Sequence, residues 1–251
     1  AKRTHDGLPT NGIVRVQGPK TSWKVSDNYS LKSLSYWPAE DYLNIWVCNL
    51  EVYLGYAQFP QSDILDGLEN ASTNRLTDGV VIAYDVFGSI DDGNFDLDPK
   101  YNRGRTTTHE VGHFFGLRHI SGDDEGTCGN VGDYVDDTPD KASQTYNCPS
   151  HPQSSCSQTT MFQNFLDYTN DACMNLFTNG QVARMQTVLE NSPRRKSLTL
   201  SSGGSIPDPV ANDLGIKSIV SPLEGECAGE VTPTIEIKNY GSNIINSGQI
   251  R

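Results

Sequence analysis

His109-Glu110-Val111-Gly112-His113-Phe114-Phe115-Gly116-Leu117-Arg118-His119 gathers three of the chain's five histidines into eleven positions. At about 3.6 residues per turn, His109 and His113 stand one turn apart on one face of a helix, so both imidazoles reach a single ion. Gly116 can adopt φ > 0, which stops the helix and turns the chain back. His119 then supplies a third nitrogen from outside the helix. Three neutral imidazoles leave one tetrahedral position open for water, which is the pattern of a catalytic zinc site rather than a closed structural one. Glu110 adjoins His109 but points toward that water, where a carboxylate serves as general base and later hands the proton to a leaving amine. Five specified residues at fixed spacing arise by chance on the order of once in 10⁵ chains of this length.

Outward from this motif, Thr106 to Leu117 has helical spacing, with Val111, Phe114, Phe115 and Leu117 apolar and the threonines as candidate N-caps. Tyr42 to Cys48 and Val80 to Tyr84 read as strands. Residues 88–105 are rich in Gly, Asp and Asn and read as a surface loop, and residues 120–160 have little periodicity. A loop that long needs staples or ions to order it. Asn179 to Glu190 reads as a second helix with Val182, Met185 and Leu189 on one face, and the basic run Pro193-Arg194-Arg195-Lys196 as its solvated end. Ser201 to Ser205 reads as a flexible linker. Asp213 to Val220 and Thr232 to Asn239 read as two strands, too few for a stable domain. The expected division is a catalytic domain over 1–200, a linker over 201–209 and the beginning of a β-sandwich, immunoglobulin-like module over 210–251. The expected fold class is α/β (α+β).

The chain has 251 residues, of which 35% are hydrophobic and 20% charged, enough apolar material for a core. Nineteen Lys+Arg against 31 Asp+Glu give a net charge of −12, which argues against nucleic acid as a partner. No apolar run approaches the roughly 18 residues of a membrane span, and the N-terminus carries no apolar signal core. Of six cysteines, Cys128, Cys148, Cys156 and Cys173 fall in the irregular stretch, and none forms a Cys-x-x-Cys pair. Disulfides made in an oxidising compartment are the better reading, and four cysteines allow three connectivities.

The motif, together with Gly132-Asp133-Tyr134-Val135-Asp136-Asp137-Thr138-Pro139, Asn147-Cys148-Pro149 and Asn164 through Thr178, resembles the pappalysin (cytophagalysin) family of metzincin zinc proteases. The resemblance runs nearly unbroken from Arg103 through Thr178 and is loose over residues 9–105. It implies a twisted mixed sheet, an active-site helix beneath the cleft and an irregular C-terminal subdomain ordered by disulfides and calcium. It places Leu166 where the family has the methionine of the turn below the metal, a nearly volume-conserving exchange. Tyr168 matches a tyrosine near the metal, whose hydroxyl would stabilise an oxyanion; the alternative is a core aromatic. Asp171 is implied in the S1′ pocket, selecting Arg or Lys by charge; the alternative is a carboxylate that only bonds nearby backbone amides. The resemblance carries calcium onto Asp133, Thr138 and Asp140 with the Asp136 carbonyl as helper, and pairs Cys128 with Cys156 and Cys148 with Cys173. Cys48 and Cys227 have no partner in that pattern. The family's first helix and strands are not found before Ile13, so the catalytic domain is expected to be incomplete at its N-terminus and the trailing module truncated.

The sequence thus reads as a secreted zinc metalloendopeptidase acting on proteins or peptides, with cleavage before Arg or Lys. The rival reading is a non-catalytic, metal-stabilised adhesin or binding module of a secreted multidomain protein. Glu110 separates the two, because a binding module has no need of the base.

Overall fold

Val80-Val81-Ile82-Ala83 is an unbroken apolar run, and every one of its residues is buried. A strand with no polar face must be covered on both sides, which makes this run the centre of its sheet. The computed structural model describes residues 1–123, 128–129, 132–208, 210–221 and 232–247. In it, β3 (Val80–Ala83) is flanked by β1 (Ile45–Cys48), parallel, and β2 (Gly55–Ala57), antiparallel, in the order β1-β3-β2. The short helix α1 (Asn28–Lys32) contributes Leu31 to the core around this sheet, beside Trp23, Trp46, Leu50, Val86 and Phe114. The helix α2 (Arg105–Phe114) lies across β2 and β3 and so carries the histidine motif over the sheet.

Several boundaries differ from the sequence reading. β1 begins at Ile45 because the Asn44 side chain is committed to a turn, donating to the Trp37 carbonyl at 2.8 Å and accepting the Trp37 amide at 3.0 Å. β3 ends at Ala83, and Tyr84–Val86 form a 3₁₀ turn. No threonine caps α2; its N-cap is Gly104, at φ 72° and with no side-chain bond. The Asp171 carboxylate does this work from the far side of the sequence, Oδ2 accepting the amides of Arg103 at 2.8 Å and Arg105 at 3.1 Å.

Among its described residues, the irregular stretch holds only two-residue strands. β4 (Tyr146–Asn147) pairs in parallel with β7 (Tyr168–Thr169), and β5 (Ser154–Ser155) pairs with β6 (Gln158–Thr159). Its order comes from two disulfides, Cys128–Cys156 and Cys148–Cys173, and from a buried ion pair between Lys141 and Asp167. Cys48 is half-buried on β1 and unbridged among the described residues; Cys227 lies outside them.

The helix α3 (Asn179–Asn191) starts at a capping box of Thr178 and Gln181. Its buried face is Gln181, Arg184 and Val188; of the face expected from Val182, Met185 and Leu189, Met185 packs on the core around Leu117 and Leu166, Leu189 is half-buried and Val182 is 40% exposed. Buried acceptors explain the difference. Arg184 donates to the carbonyls of Gly116 and Asp66, both at 2.8 Å, and Gln181 exchanges bonds with Asn164. The basic run after α3 is not a solvated end either. Arg195 is fully buried, paired with both oxygens of Asp78 and donating to the Phe114 carbonyl at 2.7 Å. Arg184 and Arg195 therefore supply donors at the C-terminal end of α2, where carbonyls lack intrahelical partners.

Residues 202–204 form a 3₁₀ turn rather than a free linker. Gly203 is buried, and its carbonyl accepts the amides of Lys2 and Arg3. Beyond it, β8 (Leu214–Ser221) and β9 (Thr234–Asn239) form an antiparallel pair whose side chains are mostly exposed. No helix among the described residues is long and apolar enough to cross a membrane.

Candidate metal centre

α2 brings His109 and His113 to one face, and the chain reversal after Phe114 brings His119 to meet them. Gly116 makes that reversal at φ 86°, and a Cβ there would lie 2.9 Å from the Val188 side chain. The three Nε2 atoms stand 3.0 Å (His109–His113), 3.1 Å (His113–His119) and 3.2 Å (His109–His119) apart. Each opposite nitrogen is engaged. His109 Nδ1 meets the Phe165 carbonyl at 2.7 Å, His113 Nδ1 the Leu117 carbonyl at 2.7 Å, and His119 Nδ1 the Asp123 carboxylate at 2.6 Å. A carbonyl or carboxylate only accepts, so each Nδ1 carries the proton and each Nε2 turns its lone pair inward.

Three lone pairs facing one another repel unless a cation sits among them. A tetrahedral ion with Zn–N bonds of about 2.0–2.1 Å holds its nitrogens about 3.3–3.4 Å apart, close to the spacing here. The donor set therefore fits a divalent metal with one position left open. It is the one such cluster of His, Cys, Asp and Glu among the described residues. Burial, with the neighbouring imidazoles, holds His109 well below the ordinary imidazole value and lowers His113 to about 3. Both rings are neutral at physiological pH, as metal ligation requires.

Glu110 is 6% exposed, and burial pushes its carboxyl up to about 8. It lies against β2. A Cβ on Gly55 would come within 2.8 Å of Glu110 Cγ and 3.0 Å of Oε1, so the absence of a side chain there makes room for the carboxylate. The Tyr168 hydroxyl is 3.1 Å from His119 Nε2, and burial, helped by the nearby carboxylate of Glu110, pushes its phenol up to about 12. Tyr168 is thus half-buried, with its hydroxyl at the histidine cluster. Tyr146, paired with it across β4 and β7, presents a 59% exposed ring at 5.8 Å between centroids. Leu166 is fully buried beneath the site with Leu117 and Ile120, and its Cδ2 lies 3.1 Å from where a Cβ on Gly112 would be. The turn position thus packs directly on the helix that carries His109 and His113.

Asp171 is nearly fully buried and bonded to the two amides before and at the start of α2. Its Oδ1 has no hydrogen-bond partner among the described residues. In the acidic loop, Asp133 is buried and accepts the Thr138 hydroxyl at 2.8 and 3.0 Å and the Val135 amide at 3.2 Å. Burial raises its carboxyl to about 6. Asp136 is exposed, Asp140 is half-buried, and neither bonds Asp133 among the described residues. Asp137, which carried no role in the sequence reading, accepts the Gly180 amide at 2.8 Å in the first turn of α3.

Sequence reasoning also passed over Asp123 and Gly55. Asp123 follows the last histidine by four residues through a Ser121-Gly122 turn, in which the Gly122 amide donates to the His119 carbonyl at 2.8 Å. A Gly-Asp pair two residues beyond the motif was the available signal. Gly55 left none, because its partner lies on another element.

A family model described as pregnancy-associated plasma protein-A, of the M43 peptidases, matches residues 29–190. An extracellular metalloprotease of Arthroderma gypseum is 35% identical over 164 residues, covering 64% of this chain and 52% of that protein. One from Sordaria macrospora is 40% identical over 146 residues, covering 57% and 46%. The chain spans about half the length of the curated relatives it matches. Among solved structures, mature mirolysin of Tannerella forsythia in complex with a cleaved peptide superposes with a TM-score of 0.71 at 41% identity, covering 83% of this chain and 76% of that one.

Proposed function

This chain belongs to the M43 peptidase family described as pregnancy-associated plasma protein-A, and we propose from that premise that it is a secreted zinc-dependent endopeptidase of the metzincin type. The observation that carries the reading is the convergence of three Nε2 atoms whose Nδ1 partners fix their tautomers. His109, His113 and His119 would hold the zinc. When bound, zinc lowers the pKa of water to about 7 and polarises the scissile carbonyl.

The chain's own groups do the rest. Glu110 takes the proton from the attacking water and returns it to the leaving amine. Glu110, which burial alone would keep neutral, would act as the ionised carboxylate with a divalent metal held by the three histidines. The Tyr168 hydroxyl, close to His119 Nε2, donates to the oxygen on which charge develops. β2 is an edge strand beside Glu110, so an extended substrate adds to its open side by backbone hydrogen bonds. The Phe59 ring lies 5.2 Å from the His113 ring, next to the same histidines.

Asp171 would select Arg or Lys after the scissile bond through Oδ1, the oxygen not committed to backbone amides. Asp133, Thr138, Asp140 and the Asp136 carbonyl would hold calcium, for which a buried carboxylate and a hydroxyl within 3.0 Å of each other are suitable oxygen donors. The substrates would be proteins or peptides. Secretion follows from the two disulfides and from extracellular relatives. Residues 1–200 would form the catalytic unit and 210–251 the beginning of a separate β-module.

The test is cleavage of a random peptide library read by mass spectrometry, with and without Glu110→Ala. Cuts clustered before Arg or Lys that vanish in the variant are expected. Cleavage undiminished in Glu110→Ala would overturn the assignment of the base.

A further inference from the structure

The three histidines are not held alike. His109 and His113 sit on α2 and lean on backbone carbonyls, fixed by the helix and by the fold around it. His119 stands outside the helix, and its Nδ1 is held by a side chain, Asp123 Oδ1 at 2.6 Å. The other oxygen of that carboxylate faces Arg118 Nη1 at 3.3 Å. Arg118 is anchored in turn, donating to the Gly67 carbonyl at 2.9 Å through Nη2 and lying 5.4 Å over the Tyr134 ring. The loop histidine is therefore oriented by a carboxylate that is itself clamped to a second part of the chain.

We propose that Asp123 is a positioning residue for the metal centre: it locks His119 in the Nδ1–H tautomer, aims Nε2 at the ion and strengthens its donation. A carboxylate on the far nitrogen raises the basicity of a ligating imidazole more than a neutral carbonyl does. His119 is also the ligand with the most orientational freedom to lose, since no helix fixes its backbone. Partners of this kind are worth about 10–100-fold in metal affinity. The inference rests on reading the histidine triad as a zinc site.

Zinc affinity of the purified protein, measured by competition with a chromophoric chelator, tests it alongside the melting temperature of the zinc-free protein. Asp123→Ala should weaken zinc about 10–100-fold while the zinc-free melting temperature stays put. Asp123→Asn, which keeps an acceptor and loses the charge, should fall between. In a His119→Ala background, Asp123→Ala should change the affinity less than about twofold, because nothing remains to be oriented. Unchanged zinc affinity in Asp123→Ala overturns the proposal. So does an equal loss in both backgrounds, which would mean that Asp123 acts through the fold or through its field alone. If the alanine variant melts early, the asparagine variant in the two backgrounds carries the same decision. A wild-type protein that takes up no zinc overturns the metal-centre reading itself.

Discussion

The histidine triad and the acidic loop are both candidate cation sites, and they are built in opposite ways. In the triad, the outer nitrogens are bonded to the protein and the inner ones converge on each other, with the Tyr168 hydroxyl beside His119 Nε2. The donors are preorganised, and among the described residues the inner nitrogens of His109 and His113 meet no group but the other imidazoles. In the loop, Asp133 already receives a hydroxyl and an amide, and Asp137 is spent on α3. There the oxygens have internal partners, and a cation must compete with them or add to them. A site left largely without internal partners advertises its ligand; a site that satisfies itself does not.

Four outcomes would break or sharpen this contrast. The largest concerns the triad. Glu110→Gln should slow peptide hydrolysis about 10²–10⁴-fold with zinc content unchanged, because Glu110 is not among the convergent nitrogens. Loss of zinc in that variant would show that the triad needs Glu110 for its shape.

The second concerns the loop. Calcium at about 100 times its dissociation constant should add about 2.7 kcal/mol of stability, read as a higher melting temperature. Asp133 gives this a pH dependence. Its carboxyl is raised from 3.8 to about 6 by burial, so in calcium-free protein the folded state binds the proton more tightly than the unfolded chain does. Its contribution is therefore intact below about pH 4 and declines as pH rises toward 6. Calcium requires the ionised form, so the rise in melting temperature on adding calcium should be larger at pH 7 than at pH 5. An equal rise at both would place calcium elsewhere, and no rise would remove it.

The third separates two uses of one carboxylate. Asp171→Ala removes the acceptor for two amides at the start of α2 and should destabilise by about 1 kcal/mol, as loss of a cap does. Asp171→Asn keeps an acceptor and drops the charge. It should melt near wild type and lose the preference for Arg or Lys. An unchanged cleavage profile in the asparagine variant would leave Asp171 with a structural role only. The smallest effect is expected at Leu166→Met, a near volume-conserving exchange on the floor of the site, which should shift stability by less than about 1.5 kcal/mol.

The legible parts of this molecule were the local ones. The i, i+4 histidines, the glycine reversal and the buried run Val80–Ala83 follow from periodicity and chain sterics, which neighbouring residues dictate. The second helix was legible in extent and only in part in its face, because Arg184 and Gln181 are polar residues buried for distant partners. Arg195 was misread for the same reason, since its partner Asp78 lies 117 positions away.

The convergence of three histidines, the carboxylate next to the first of them and a strand from Val80 could thus be read from the amino acids alone. Only the tertiary structure decided what holds the outer nitrogens of His109 and His119, what caps α2 and what leaves room for Glu110. Those partners are Phe165, Asp123, Asp171 and Gly55. Helical spacing fixes where a side chain projects from its own backbone, but a hydrogen bond is completed by whichever group the folded chain brings to that point. Except for Asp123, each of these partners comes from tens of residues away.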